Sequence, residues 1–593
     1  MVGKIRDQIL YSAASSNLFP QKPTLRLYSE VDICLHCGRK TTVQKTKTRT
    51  LNTLEIGTFK IKEYIYKCQN EGIIFTTNQL DKIVSPGCNF GYDVIVYVGL
   101  AIFVHSRSNQ DIMRSLAAKN ISISDRQISN LGRKFITYLA IAHDESREEI
   151  RSIMKRKGGY ILHIDGTFEG DSPNLFCGLD GISELVLDAI KIPSEKKDYI
   201  VPFLKRIKKQ YGDPIALVHD MGPGIMGAVA EVFQDIPDYI CHFHFLRDIG
   251  KDLLLEDHQG IMKSLKKHKI RGALRQKLRY LENKIGENMV LINEFIAGEK
   301  KADSEKELFP EIAVYLIIQW VFEAPKESKG YGFPFDIPHL DFYNRLKKMY
   351  KELSNVLSNS NIENKKSLIK VCKLAKTVLD DRNLKINVKS IESKISVFNK
   401  LRESLRIADP HGEKGLNDEG DSDIKTIEDK VKKFNQWLKE DNDRAETYSK
   451  MIKQIEKYWD KLFTDPIVVS TSEGEFTIIP QRTNNILERF FRNEKRRGRK
   501  KQGCVSLNKT LKAILAKTPL IRNLENPEYL KILLNDCSSL AERFSKIDCK
   551  LVREQLDKAK KEQNKVAPEV KKLIRMPNFP QKISAALIDQ GNI

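Results

Sequence analysis

The sequence predicts a multidomain α/β protein, and three observations carry that expectation. Short apolar runs alternate with helical patterns from Gly158 to about residue 255, as a mixed α/β sheet requires. From about 256 to 475 the chain turns to long Lys/Glu-rich segments with helical periodicity. Near the N-terminus, Cys34, Cys37, Cys68 and Cys88 gather four of the ten cysteines into a short β-rich stretch. With about 100–200 residues per domain, 593 residues allow about three to five domains, and 41% apolar residues can fill several cores.

In residues 24–90, Leu54, Ile56, Phe59, Ile61, Ile65 and Tyr66 lie among Thr, Lys and Glu, with Gly57 marking a turn, which predicts a small β-module. A module of that size needs help to be stable. The stretch from Ser106 to Leu139 predicts two helices: Ile112, Leu116 and Ala117 on one, then a polar break at Asn120–Ser124, then Ile128, Leu131 and Phe135 on the other. Ser124 and Gln127 fit a capping box at the start of the second helix, so the whole is a helix-turn-helix pattern.

The runs YILHIDG (160–166), LFCGLD (175–180) and ELVLDAI (184–190) are strand-like, and Asp180-Gly181 is a hairpin signal. A basic helix near Lys196–Lys209, the run IALVHD (215–220), a helix after Pro223 and the run YICHFHF (239–245) follow. In the helical block, Leu368, Val371, Leu374, Ala375 and Val378 fall at helical spacing, whereas Ala408–Asp423 is polar and turn-rich, a loop. The segment TNNILERFFRNEKRRGRKKQG (483–503) precedes a last helical stretch and a polar tail.

Charge narrows the function. Lys and Arg number 100 against 78 Asp and Glu, a formal +22, and such a surplus suits a polyanion whose counterions are released on binding. A generally Lys-rich surface is the plainer alternative. Global disorder, collagen-like repeats and membrane architectures are excluded: the apolar run Val94–Val104 is about half of the 18–20 residues that span a bilayer. The N-terminus lacks an apolar signal core, so the expected location is the cytoplasm or the nucleoid.

Two acids stand at the ends of apolar runs, Asp165 in HIDGT and Asp220 in VHD before Met221-Gly222-Pro223. A carboxylate buried in a sheet is expensive alone, and two at neighbouring strand ends would suit Mg²⁺ or Mn²⁺, hard cations that take oxygen ligands. Each Asp could instead cap the turn after its strand. On a helix, Glu488, Arg492, Lys495 and Arg499 share one face, a carboxylate with three cations that suits a phosphate backbone. The alternative is a capping box, with Asn485 as N-cap, Glu488 at the third helical position and the charges beyond as a solvated face.

Cys34-Leu-His-Cys37-Gly could present two thiolates to one Zn²⁺, with Cys68 and Cys88 completing a tetrahedral set and buried free thiols as the alternative. The spacing lacks a second Cys-x-x-Cys, and His36 is a spare candidate. On the second helix of the helix-turn-helix, Arg126, Gln127, Asn130, Arg133 and Lys134 are polar positions suited to a major groove, although a helical spacer would look similar.

The order of these motifs resembles a family. HIDGT, VHD, then Cys241-His242-Phe243-His244, a long helical interval and NNILERFFRNEKRRGRKKQG are similar to RNase H-like DDE transposases with an all-helical insertion, in particular bacterial insertion-sequence transposases related to Mutator-like elements. The resemblance covers about residues 158–255 and 480–503. It implies that Asp165, Asp220 and Glu488 form a catalytic triad binding two Mg²⁺ ions, and that the 268 positions from Asp220 to Glu488 hold an inserted helical block. Cys241 and His244 match a Cys-x-x-His pair whose role there is structural, while Met221 departs from the small residue usual after the second Asp.

The resulting expectation is an N-terminal zinc module (1–92), a helix-turn-helix region (93–156), an RNase H-like core (157–255) interrupted by an all-helical insertion (256–478) and completed by the last catalytic helix (479–505), then a helical C-terminal region (506–593). The implied protein is a DNA transposase that binds element ends, hydrolyses a phosphodiester and transfers the strand as a homodimer or larger assembly. The N-terminal domains would choose the ends, while Arg492, Lys495, Arg496 and Arg499 would hold any sequence by its phosphates. A non-catalytic, domesticated DNA-binding protein and a metal-dependent nuclease without strand transfer are the rivals.

Overall fold

The computed structural model describes residues 22–286, 289–298, 308–323, 330–359, 364–411, 423–463, 465–471, 474–503, 506–563 and 568–590. The chain divides into two compact units: Met1–Asp238 with Ile467–Ile478 and Asn484–Ile593, and Tyr239–Pro466 with Ile479–Thr483.

The first unit opens with a four-stranded sheet of β1 (Thr24–Leu27), β2 (Thr42–Thr53), β3 (Gly57–Lys67) and β4 (Ile74–Phe75), ordered β1-β3-β2 with β4 also on β3. Phe59, Ile61 and Ile65 alternate along β3 and so share a face, and with Leu27, Leu51, Leu80 and Val84 they are buried. The hydrophobic core of this module is small, as the sequence predicted.

Helix α1 (Tyr92–Phe103) contains the apolar run that is too short for a membrane. It lies close against α3 (Asp125–Glu145): a Cβ on Gly99 would stand 2.0 Å from Cγ of Phe135, so only glycine lets the two helices meet there. Between them lies α2 (Asn109–Ala117), and Ser124 starts α3 by accepting the Gln127 N–H at 3.3 Å, the predicted cap. Helix α4 (Arg147–Arg156) leads to the main sheet. Among the described residues, no helix is long and apolar enough to cross a membrane.

That sheet has the order β7-β6-β5-β8-β9, from β5 (Ile161–Thr167), β6 (Asn174–Asp180), β7 (Val186–Ile192), β8 (Ala216–His219) and β9 (Asp238–Ile240). β5, β6 and β7 form an antiparallel meander and β8 runs parallel to β5. Helix α5 (Lys197–Tyr211) carries the crossover from β7 to β8, and α6 (Pro223–Val232) follows β8 with Pro223 in its first turn, where a missing N–H is harmless. At the β6–β7 turn Asp180 accepts from the N–H groups of Ile161, Ile182 and Ser183, which explains how a wholly buried carboxylate is tolerated there.

One apolar core runs from Tyr92 through the sheet to Tyr529, Phe544 and Val552, so α1, α2, α3 and the C-terminal helices share it with the sheet. Buried His143 of α3 ties them together. Its Nδ1 lies 2.9 Å from the Tyr529 hydroxyl, and its Nε2 lies 3.0 Å from both Leu187 O and the Tyr211 hydroxyl. Burial pushes its pKa down to about 4.

Two expectations need correction. The run YICHFHF is a strand only to Ile240, and a long helix, His242–Lys267, begins two residues later. Its first five residues are all buried, and continuous burial hides the helical period. The stretch 256–478 is not wholly helical either: β10 (Ile467–Thr471) and β11 (Gly474–Ile478) pair as an antiparallel hairpin, favoured by Val468, Val469, Thr471, Thr477 and Ile478.

The second unit is built of helices, including Ile270–Ile285, Phe309–Phe322, Pro338–Asn359, Lys366–Leu379, Arg382–Leu405 and Ile424–Lys439. Leu368, Val371, Ala375 and Val378 are buried as predicted, whereas Leu374 is exposed. The turn-rich stretch near 408–423 lies mostly outside the described residues. Cys241 is the buried N-cap of His242–Lys267, and His244 is buried in its first turn. Arg482 donates to Leu405 O at 2.7 Å and its carbonyl accepts the His242 N–H at 2.9 Å. Burial, followed by the Arg482 charge, pushes His242 down to about 3.

Candidate metal centre and nucleic-acid surfaces

The parallel pairing of β5 with β8 sets Ile161 opposite Ala216, Leu162 opposite Leu217 and His163 opposite Val218. β8 ends at His219, so Asp165 stands two positions beyond the last residue of β5 paired with β8, and Asp220 stands two positions beyond the last paired residue of β8. Asp165 is 5% exposed and accepts the Gly166 N–H at 2.7 Å, and Asp220 is half-buried just past the end of β8. His219 sits with Nδ1 2.8 Å from Asp220 O and Nε2 3.1 Å from the Asp238 carboxylate, which fixes the backbone at Asp220.

Glu488 arrives on α7 (Asn485–Gln502). Just before that helix, wholly buried Asn484 donates from Nδ2 to Ile164 O at 3.2 Å, and its Oδ1 lies 3.0 Å from His163 Nδ1. The helix therefore starts on the β5 face from which Asp165 projects. Glu488 donates its N–H to Asn484 O at 3.0 Å, one turn from the anchor. The capping-box alternative is thereby overturned: the N-cap is Asn484, Glu488 stands at the fourth helical position, and the Asn484 side chain binds the sheet instead of the helix.

Ile486, Leu487, Phe490 and Phe491 of α7 are buried, Glu488 is half-buried, and Arg489, Arg492, Arg496 and Arg499 are exposed. Lys495 lies on the same helix, with its side chain outside the described residues.

Sequence reasoning missed Glu195, on the loop before α5. Its Oε1 accepts from Asn174 Nδ2 at 2.6 Å, and a Cβ on Gly166 would stand 2.9 Å from that oxygen and 2.4 Å from Asn174 Oδ1. A Cβ on Gly224 would stand 1.9 Å from the backbone O of Glu195, so Gly166 makes room for the carboxylate and Gly224 for the backbone of this loop. Gly166, just after Asp165, and Gly224, in the first turn of α6, were the signal for it.

In the N-terminal module, the sulfurs of Cys34, Cys37 and Cys68 lie within 4.8 Å of one another, with 3.4 Å between those of Cys37 and Cys68. The Glu71 N–H, 3.4 Å from Cys68 Sγ, holds that thiol below its ordinary pKa. Cys88 is not brought to this group: its Sγ accepts from Lys134 Nζ of α3 at 2.8 Å. Spacing alone made it a candidate, and the fold sends it to a helix instead. The solvent face of the same sheet holds Arg26 opposite Lys62, then Lys60, and a stacked pair of Tyr28 and Tyr64 with ring centres 4.8 Å apart. Alternation in KIKEYIY was the available signal.

On α3, Arg126 is exposed, but Gln127, Asn130, Arg133 and Lys134 line a cavity of about 270 Å³ together with Leu515, Leu556 and Ala559. That face is partly covered by C-terminal residues, which its amphipathic pattern could not foretell.

No protein-family model and no curated protein sequence matches the chain. Among solved structures it is similar to the Drosophila P element transposase strand transfer complex, at 11% identity and a TM-score of 0.27, over 75% of this chain and 93% of that one. Likeness that slight fixes neither fold nor activity.

Proposed function

We propose that this chain is a DDE transposase, acting as a homodimer or larger assembly that pairs two DNA ends. One observation carries the reading: Asp165 and Asp220 each lie two positions past the last pair that joins the parallel strands β5 and β8, and Asn484 ties the helix bearing Glu488 to β5. A meander of β7, β6 and β5 continued by parallel β8 also fits the mixed sheet of an RNase H-like core.

The donor set fits Mg²⁺ or Mn²⁺. Carboxylates at adjacent strand ends repel one another, and an all-oxygen set suits a hard divalent cation that relieves the repulsion. Asp165, Asp220 and Glu488 would hold it, and when bound it would activate an attacking oxygen and stabilise the leaving one. Buried Asp165 and its Gly166 N–H keep one ligand in a fixed direction. The outward arginines of α7, from Arg489 to Arg499, hold phosphates irrespective of sequence. Arg26, Lys60 and Lys62 beside the Tyr28/Tyr64 stack offer a second strand-binding face, and exposed Arg126 a third contact. Zn²⁺ at Cys34, Cys37 and Cys68 holds the N-terminal module, and Cys241 and His244 serve structure.

The test is nicking and strand joining on DNA carrying the gene's own flanking ends, comparing the wild type with Asp165→Asn, Asp220→Asn and Glu488→Gln. Joined products lost in all three variants support the reading. Cleavage without joining points to a nuclease, and tight binding with no metal-dependent chemistry to a domesticated DNA-binding protein.

A further inference from the structure

We propose that the N-terminal cysteine group is completed as a four-ligand Zn²⁺ site by Glu71. This inference stands on its own geometry and does not depend on the transposase reading.

The chain makes the same turn twice. At Cys34-Leu-His-Cys37-Gly38, the Cys34 N–H donates to Arg39 O at 2.8 Å and the Gly38 N–H to Cys34 O at 2.9 Å, with Gly38 at φ +67. At Cys68-Gln-Asn-Glu71-Gly72, the Cys68 N–H donates to Ile73 O at 2.9 Å and the Gly72 N–H to Cys68 O at 2.8 Å, with Gly72 at φ +70. Both hydrogen bonds, and the left-handed glycine that closes the loop, recur at identical offsets. The two turns differ at the fourth position, which is Cys37 in the first and Glu71 in the second.

In the first turn that position delivers a sulfur into the group. In the second it belongs to Glu71, whose own N–H reaches Cys68 Sγ at 3.4 Å, so its side chain starts beside the three sulfurs. Structural Zn²⁺ is four-coordinate and accepts carboxylate oxygen as well as thiolate. The Glu71 carboxylate accepts only a surface hydrogen bond from Asn70, 3.1 Å and exposed, which is too weak to keep it from the metal. The two competing ligands are worse placed. Cys88 is held at Lys134, and His36, exposed and outside the three-sulfur group as Glu71 is, sits at the third position of its turn and not at the fourth, from which Cys37 delivers its sulfur. The absence of a second Cys-x-x-Cys is thus answered by a Cys-x-x-Glu in the same backbone turn.

The experiment uses the full chain, with Zn²⁺ affinity measured by chelator competition and ligand type read from the absorption of the Co²⁺-loaded protein. Glu71→Ala is expected to weaken Zn²⁺ by more than about 100-fold, beyond the ~10–100-fold typical of an outer-shell partner. Glu71→Cys is expected to retain Zn²⁺ and to strengthen and red-shift the Co²⁺ bands as a fourth thiolate joins, which keeps the proposal testable if Glu71→Ala fails to fold. Cys88→Ser and His36→Ala are expected to leave affinity and spectrum unchanged. Unaltered Zn²⁺ affinity in Glu71→Ala, an unchanged Co²⁺ spectrum in Glu71→Cys, or loss of Zn²⁺ in Cys88→Ser or His36→Ala would overturn it.

Discussion

The two sheets of the first unit bury their apolar faces by opposite means. In the five-stranded sheet β6 is buried at every residue and β5 from Ile161 to Asp165, under helices on a core that extends to Val552. The N-terminal sheet has only Leu27, Leu51, Phe59, Ile61, Leu80 and Val84 in its core cluster, and β2 is exposed along most of its length. Where apolar burial suffices, strand ends can carry charges that destabilise the fold but suit a metal. Where it does not, three thiols stand where more core would be, and under the proposed zinc reading stability becomes a matter of ligation.

The sharpest way to break this contrast is Asp165→Asn. Removing one of the repelling charges should not weaken the large sheet, so the variant should keep or raise its melting temperature and keep its DNA affinity while cleavage falls by at least about 10³-fold, the scale seen when one member of a catalytic set is removed. A folded variant that lost DNA binding in a mobility-shift assay would show the acid to be part of the binding surface instead.

Stripping Zn²⁺ with a chelator, or Cys37→Ser, should do the reverse. Hydrogen exchange should accelerate across β2 and β3 while β5, β6 and β8 stay protected, because the two sheets do not share a core. Full metal content in a folded Cys37→Ser protein, or equal loss of protection in both sheets, would end the comparison.

Asn484→Ala tests how the large sheet holds the start of α7. It strands buried His163 Nδ1 and Ile164 O, which should cost about 1–3 kcal/mol in a chemical denaturation. It should lower cleavage further than Arg492→Ala does, since it frees the start of α7 whereas Arg492 is exposed. Equal effects of the two on cleavage would mean that the anchor does not position Glu488.

The sequence showed the parts of the large sheet well because they obey simple periods. Expected runs at 160–166, 175–180 and 184–190 match β5, β6 and β7 within two residues, since buried alternation and the Asp180 turn leave few other solutions. Ser124 was legible for the same reason, being a local cap. What stayed hidden was closure in space. Asn484 looked like one of two tandem amides, yet its partners lie more than 300 positions away on β5. Glu195 carried no motif, and Cys88 had the right chemistry at a place the chain does not bring to the other thiols. The helix at His242 was masked by burial on all sides of its first turns, and the β10–β11 hairpin by the charged helices before it.

Acid should loosen the two sheets by separate routes, and the smaller effect is the more diagnostic. In the N-terminal sheet, protons would compete with the proposed Zn²⁺ for thiolates, so acid would act there through the metal. In the large core the group concerned is His143, which burial holds at about 4 against 6.5 in the unfolded chain. Because the folded value is depressed, its contribution is fully present above pH 6.5 and is lost progressively as the pH falls towards 4. Between pH 7 and 5.5 the loss should be about 1 kcal/mol, carried by protonation of the unfolded chain. His143→Gln, which can keep a hydrogen bond to Leu187 O or Tyr529 but cannot titrate, should flatten that slope whatever its effect on stability at pH 7. Metal-saturated protein denatured across this pH range isolates the term. An unchanged slope in the variant would place the acid sensitivity outside the large core, and titration of His143 would then contribute nothing to it.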